Sequence, residues 1–126
     1  LAVAKQLQDY PQVDWVRYAV LDDSPHKALL DKYMGGRGSG VMSFGVKGGA
    51  EAAPKFIDAL QLLTRLVNIG DAKSLACHPA STTHRQLDPE ELASSGVSED
   101  LVRLSIGIEH IDDIIADIDQ ALDATK

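Results

Sequence analysis

What the chain has little of narrows it first. One cysteine, Cys77, stands among 126 residues, so no internal disulfide can form, which fits a reducing cytosol. Lysine and arginine number 12 against 19 aspartates and glutamates, a formal charge of -7. The basic residues form no patch, which argues against a nucleic-acid surface, since its footprint is clustered Lys and Arg. No apolar run approaches a membrane span, and the first residues, broken by Lys5 and Asp9, lack the apolar core of a signal peptide. A cytoplasmic location is the expectation. An initiator Met is missing too: Leu1 opens inside a helical pattern with no cap before it, which predicts a piece of something longer.

What is present is ordinary for a folded domain. Hydrophobic residues make up 44% and charged residues 25%, far from a disordered composition, and the length suits one domain with one core. Residues 1–126 are therefore read as a single domain. After the opening helix, Tyr10-Pro11 breaks the pattern and Val13–Val20 reads as a strand. Asp22-Asp23-Ser24-Pro25 gives a turn and cap before a helix that should stop at Gly35. Gly35-Gly36-Arg37-Gly38-Ser39-Gly40 could cradle a phosphate, but its order of helix, glycines, strand fits a plain connection better. Val41–Val46 alternates like a strand, and Pro54, Phe56, Leu60, Leu63 and Val67 predict a helix running down to Asn68.

Ser74–Cys77 reads as a short strand. Cys77, His78 and His84 lack a fourth ligand at a usual spacing, so no metal site is expected, and a lone apolar-strand cysteine reads as buried rather than reactive. Asp88 and Glu91 around Pro89 form a capping box, with Gly96 as the stop. Leu101–Ile108 is the most informative strand: Val102, Leu104, Ile106 and Ile108 share one face, while Arg103 and Ser105 share the other. A final helix carries Ile111, Ile114, Ile115, Ile118, Ala121 and Leu122 as its stripe, with Asp112 and Asp113 in the first turn. The alternation of strands and helices predicts a small two-layer α/β sandwich, an open sheet with helices on one face, leaving the other face for a partner.

Arg103 is the side chain that asks for a ligand. A planar guanidinium grips a carboxylate in a bidentate way, and the residues alone leave two partners open: a bound carboxylate, or a structural salt bridge to Asp100 or Glu109.

A family resemblance bears on that choice. His78-Pro79-Ala80-Ser81-Thr82-Thr83-His84 and Gly96 to Glu109, with Phe44 to Gly49, Asn68 to Leu75 and Ile111 to Asp117, resemble the C-terminal domain of the pyridoxal-phosphate enzymes of cysteine and methionine metabolism. Within that family Asn68 to Ser74 and Ser81-Thr82-Thr83-His84 look closest to the O-acetylhomoserine sulfhydrylase branch; cystathionine-cleaving and methionine-cleaving relatives tend to have Met at the position of Thr82. The resemblance implies that Arg103 binds the α-carboxylate of an amino-acid substrate such as O-acetylhomoserine, with Asn68 and Thr83 near the same carboxylate. It also implies a larger, preceding domain that holds pyridoxal 5'-phosphate, and a tetrameric enzyme. Neither Lys47 nor Lys73 matches the family's cofactor-bearing lysine motif, so no catalytic or cofactor-binding residue is expected here. A stand-alone carboxylate-binding or oligomerisation module is the competing expectation, alongside a synthase or lyase relative.

Overall fold

The computed structural model describes residues 1–126, leaving out the side chain of Pro89. It opens with α1 (Ala2–Asp9), which buries Val3, Ala4 and Leu7, and β1 (Val13–Arg17). α2 (Lys27–Met34) stops at Gly35, whose φ of 59° and ψ of 36° are left-handed, a conformation glycine adopts without steric cost. Then come β2 (Val41–Val46), α3 (Gly49–Ala59), β3 (Thr64–Arg65) and β4 (Leu75–Cys77). A 3-10 turn at Pro79–Ser81 precedes α4 (Pro89–Ser94), whose Asp88–Glu91 capping box is fully formed. β5 (Leu101–Ser105) and α5 (Ile111–Asp123) close the chain.

The strands make one sheet in the order β1-β2-β5-β4-β3, antiparallel throughout except for the β3–β4 pair. Met42, Phe44 and Val46 from β2, Val102 and Leu104 from β5 and Ala76 from β4 point to one face, where they join Leu7, Phe56, Ile114, Ile118 and Leu122 in a single core. Phe44 and Phe56 meet edge to face at 5.4 Å, the arrangement that ring quadrupoles favour. The fold is thus the expected open α/β sheet, with α1, α3 and α5 supplying the core's helical layer.

Several boundaries differ from the sequence reading, each for a visible reason. The first strand ends at Arg17 rather than Val20, because Leu21 N–H turns back to Tyr18 O at 3.1 Å. Ser24-Pro25 lies ahead of the N-cap, which is His26. The helix predicted from Pro54 to Asn68 is displaced: it runs Gly49–Ala59 with Pro54 inside it, and Leu66 and Val67 are exposed. What stops it is distant in sequence. The buried Asp117 carboxylate of α5 accepts the backbone N–H groups of Gln61, Leu62 and Leu63 at 2.8, 2.9 and 2.9 Å, so the chain leaves the helix and enters β3. β5 ends at Ser105, and Ile108 is 86% exposed. Gly107 there lies directly on the backbone of Ala72 to Ser74, with no room for a Cβ, and Ile108 N–H bonds Ala72 O at 3.0 Å, drawing the chain off the sheet.

Candidate functional site

The sheet face opposite the α1, α3 and α5 layer carries the candidate site; it is not the open face expected from the sequence, since Leu75, Cys77 and Ser105 there are buried. Side chains directly opposite on neighbouring strands share a face, and the register aligns Arg17 with Ser43, Ser43 with Arg103, and Arg103 with Cys77. Arg103 therefore rises from the central strand between a hydroxyl and a thiol. It is half-buried, and its Nη2 donates to Asn68 O at 3.4 Å. The loop between β3 and β4 thus holds one edge of the guanidinium, which has donors beyond this contact and the one to Cys77.

Neither acid that could have neutralised Arg103 does so. The ion pairs among the described residues are Lys27–Asp31, Lys47–Asp14, Arg65–Asp58, His110–Asp112 and Lys126–Asp123. Asp100 accepts the Trp15 indole N–H at 2.7 Å. Glu109 accepts the Ser74 backbone N–H at 2.6 Å and its hydroxyl at 2.8 Å. Burial pushes the Glu109 carboxyl up, but these bonds from Ser74 together with the Glu109 N–H outweigh it and hold the group below its usual range. Cys77 goes the other way. Burial raises its thiol, and the Arg103 charge and hydrogen bond draw it only part of the way back, so Arg103 faces a neutral sulfur at neutral pH.

The other two residues singled out from sequence sit on the flanking loops. The Asn68 side chain turns into its own turn, its Oδ1 accepting Ile69 N–H at 2.9 Å, so its bond to Arg103 runs through the backbone carbonyl. Thr83 is exposed and its hydroxyl lies 2.7 Å from His84 Nδ1; among the described residues no hydrogen bond links it to Arg103. The segment bearing it is tied down by His78, which is buried. His78 Nε2 bonds the Glu99 carbonyl at 2.7 Å. A carbonyl only accepts, so Nε2 carries the proton and Nδ1 accepts the Ser81 hydroxyl at 2.9 Å. Both ring nitrogens of His78 are thereby used, and among the described residues no cluster of His, Cys, Asp and Glu is arranged for a metal.

Sequence reasoning missed Trp15, Arg17 and Ser74. Trp15 stands opposite Gly45, where a Cβ would strike the indole and the Asp100 carboxylate, so glycine in β2 is what lets the indole reach Asp100. Arg17 stacks on Trp15, its Cζ 4.5 Å from the ring centroid, and looks across a cleft at Leu92, Ala93 and Gly96 to Glu99. The available signal was the pairing of a lone Trp with an Arg two residues on, which places both on one strand face. Ser74 gave none beyond its place beside a strand. The glycine-rich segment 35–40 is a connection, with Ser39 O accepting the Tyr18 hydroxyl at 2.9 Å.

Comparison with known proteins gives the family and the fold. The family described as Cys/Met metabolism PLP-dependent enzyme matches residues 1–123. The O-acetyl-L-homoserine sulfhydrylase 1 of Thermus thermophilus is 50% identical over 97% of this chain and 29% of its own length. The L-methionine gamma-lyase of Pseudomonas deceptionensis is 48% identical over 97% of this chain and 30% of its own. A Campylobacter jejuni crystal structure assigned as an O-acetylhomoserine (thiol)-lyase, holding N'-pyridoxyl-lysine-5'-monophosphate, superposes with a TM-score of 0.90 at 42% identity, covering 97% of this chain and 29% of that one. The chain spans about three-tenths of the length of the curated relatives it matches.

Proposed function

This chain belongs to the Cys/Met metabolism PLP-dependent enzyme family, and on that premise we propose that it is the C-terminal, substrate-clamping domain of an O-acetylhomoserine sulfhydrylase. The reaction replaces the acetate on Cγ of O-acetyl-L-homoserine by sulfide or a thiol, giving homocysteine or methionine and acetate. The observation that carries the reading is Arg103: half-buried on the sheet face opposite the core helices, braced by Asn68 O, with Asp100 and Glu109 both bonded elsewhere.

The residues present do not fit the cofactor itself. A lysine that joins pyridoxal phosphate covalently needs a desolvated amine. Here Lys5, Lys32, Lys47, Lys55, Lys73 and Lys126 are exposed, and half-buried Lys27 is bound to Asp31 at 2.6 Å. In this reading the cofactor sits on another domain of the enzyme, where it supplies the electron sink.

The contribution of this chain is positioning. Arg103 takes the α-carboxylate through paired, charge-assisted hydrogen bonds, with the Thr83 hydroxyl as a neutral second donor and Asn68 bracing the guanidinium through its carbonyl. Fixing the carboxylate fixes the direction of the Cα–H bond, and so removes orientational freedom before the chemistry begins. The partners in this reading are the enzyme's own cofactor domain and further copies in a tetramer; the location is the cytoplasm.

The test is made on the enzyme that contains this chain. Homocysteine and acetate formed from O-acetyl-L-homoserine and sulfide, with a visible absorbance band of lysine-bound pyridoxal phosphate, is the expected result. Cleavage of methionine to 2-oxobutanoate without sulfhydrylation would place it with the lyases. A colourless protein that binds amino acids and turns over neither substrate would leave a stand-alone binding module.

A further inference from the structure

His84 is a residue to which neither the mechanism above nor the resemblance assigns a role. Its backbone is fixed on both sides: His84 N–H donates to Pro79 O at 2.9 Å, and His84 O accepts Leu87 N–H at 3.0 Å. Its ring is half-buried beside the exposed Thr83, with Nδ1 2.7 Å from Thr83 Oγ1. The neighbouring threonine is already committed, since the Thr82 hydroxyl donates to His78 O at 2.8 Å. His78 in turn holds Glu99 O, and the Pro79–Ser81 turn packs on β5, the strand that bears Arg103. Thr83 is therefore the outward-facing hydroxyl of the pair, on a segment anchored to the Arg103 strand.

A threonine hydroxyl has one proton to give and two lone pairs. If that proton goes to His84 Nδ1, Thr83 offers a carboxylate only lone pairs, and the two repel. If Nδ1 carries the proton and donates to Thr83 Oγ1, the hydroxyl proton is free for a carboxylate oxygen, and the donation polarises the hydroxyl in the favourable direction. We propose that His84 is a positioning residue for substrate recognition, holding its proton on Nδ1 and donating it to Thr83 Oγ1 so that the Thr83 hydroxyl points its proton at the α-carboxylate. The proposal rests on the reading of Thr83 as a carboxylate contact.

The experiment is steady-state kinetics of the enzyme that contains this chain, with O-acetyl-L-homoserine and sulfide, for His84→Ala, His84→Asn, Thr83→Val and the Thr83→Val/His84→Ala double variant. His84→Ala raises KM for O-acetyl-L-homoserine about three- to tenfold, the range of one neutral hydrogen bond, and leaves kcat within about twofold. His84→Asn restores KM, because an asparagine side-chain amide donates from nearly the same position. Thr83→Val shows the same loss as His84→Ala, and the double variant is no worse than Thr83→Val alone. A His84→Ala KM equal to wild type while Thr83→Val is impaired overturns the role of His84 and keeps that of Thr83. Wild-type KM in Thr83→Val overturns the carboxylate reading of Thr83 and the proposal with it. A double variant with additive losses, or no rescue by Asn, shows that His84 acts on the loop as a whole and also overturns the proposal.

Discussion

Ser74 holds both carboxylate oxygens of Glu109, its N–H on Oε1 at 2.6 Å and its hydroxyl on Oε2 at 2.8 Å. The same hydroxyl accepts Gly107 N–H at 2.9 Å, so one fully buried serine fastens the end of β5 to the approach of β4. It also keeps the Glu109 charge occupied, just beyond the end of the strand that bears Arg103.

Removing that hydroxyl has a pH signature. Ser74→Ala leaves Glu109 Oε2 and Gly107 N–H without their partner and costs about 1–3 kcal/mol at pH 7. Glu109 is held below its ordinary pKa in the folded chain. Its contribution is therefore present above the unfolded carboxylate range and is lost as pH falls through the depressed folded value. Urea unfolding at pH 7 and again near pH 3 checks this: the gap between wild type and Ser74→Ala narrows at the lower pH.

Asp117 is the second buried anchor. It accepts the N–H groups of three successive residues, Gln61, Leu62 and Leu63, and the Gln120 side-chain amide at 3.0 Å. Asp117→Ala strands those donors, of which Leu63 N–H is buried, and is expected to cost about 2–4 kcal/mol. Amide hydrogen exchange locates the damage: faster exchange at residues 61–66, with the β2–β5 ladder unchanged, is the predicted pattern.

These two anchors mark what the sequence could and could not tell. The face of Arg103 was legible because Val102 and Leu104 alternate with it, and that period survives folding. So did the α4 cap, in which donor and acceptor lie three residues apart. The end of α3 was not legible: Leu60 and Leu63 keep helical spacing, and the carboxylate that ends the helix comes from α5. Its one trace in sequence is an acid on the core side of the stripe, Asp117 between Ile114 and Ala121. Ile108 kept the period of β5 yet lies outside it, because the contact of Gly107 with the backbone of residues 72–74 is made by a distant segment. That Asp100 and Glu109 leave Arg103 without an acid partner depends likewise on their being engaged by Trp15 and Ser74, a pairing that no local pattern reveals.

Cys77 supplies a direct probe of the Arg103 surroundings. It is 2% exposed, and burial raises its thiol against the partial pull of Arg103, so at pH 7.5 it is protonated and slow to alkylate. Iodoacetamide is expected to label it only after unfolding. Cys77→Asp goes further: it sets a carboxylate in register with Arg103 and supplies internally the partner that the proposed function gives to the substrate. The expected result in the enzyme is a KM raised at least tenfold, whereas Cys77→Ser leaves KM within about threefold of wild type.

The most direct test of the account is the dependence of Arg103 on the substrate's own charge. In the enzyme that contains this chain, kcat/KM is measured for wild type and Arg103→Ala with O-acetyl-L-homoserine and with its carboxamide, which keeps the shape and loses the negative charge. The account predicts that Arg103→Ala loses about 2–5 kcal/mol in kcat/KM toward the carboxylate, and that both proteins handle the carboxamide equally poorly. An Arg103→Ala enzyme that still prefers the carboxylate as strongly as wild type would contradict it.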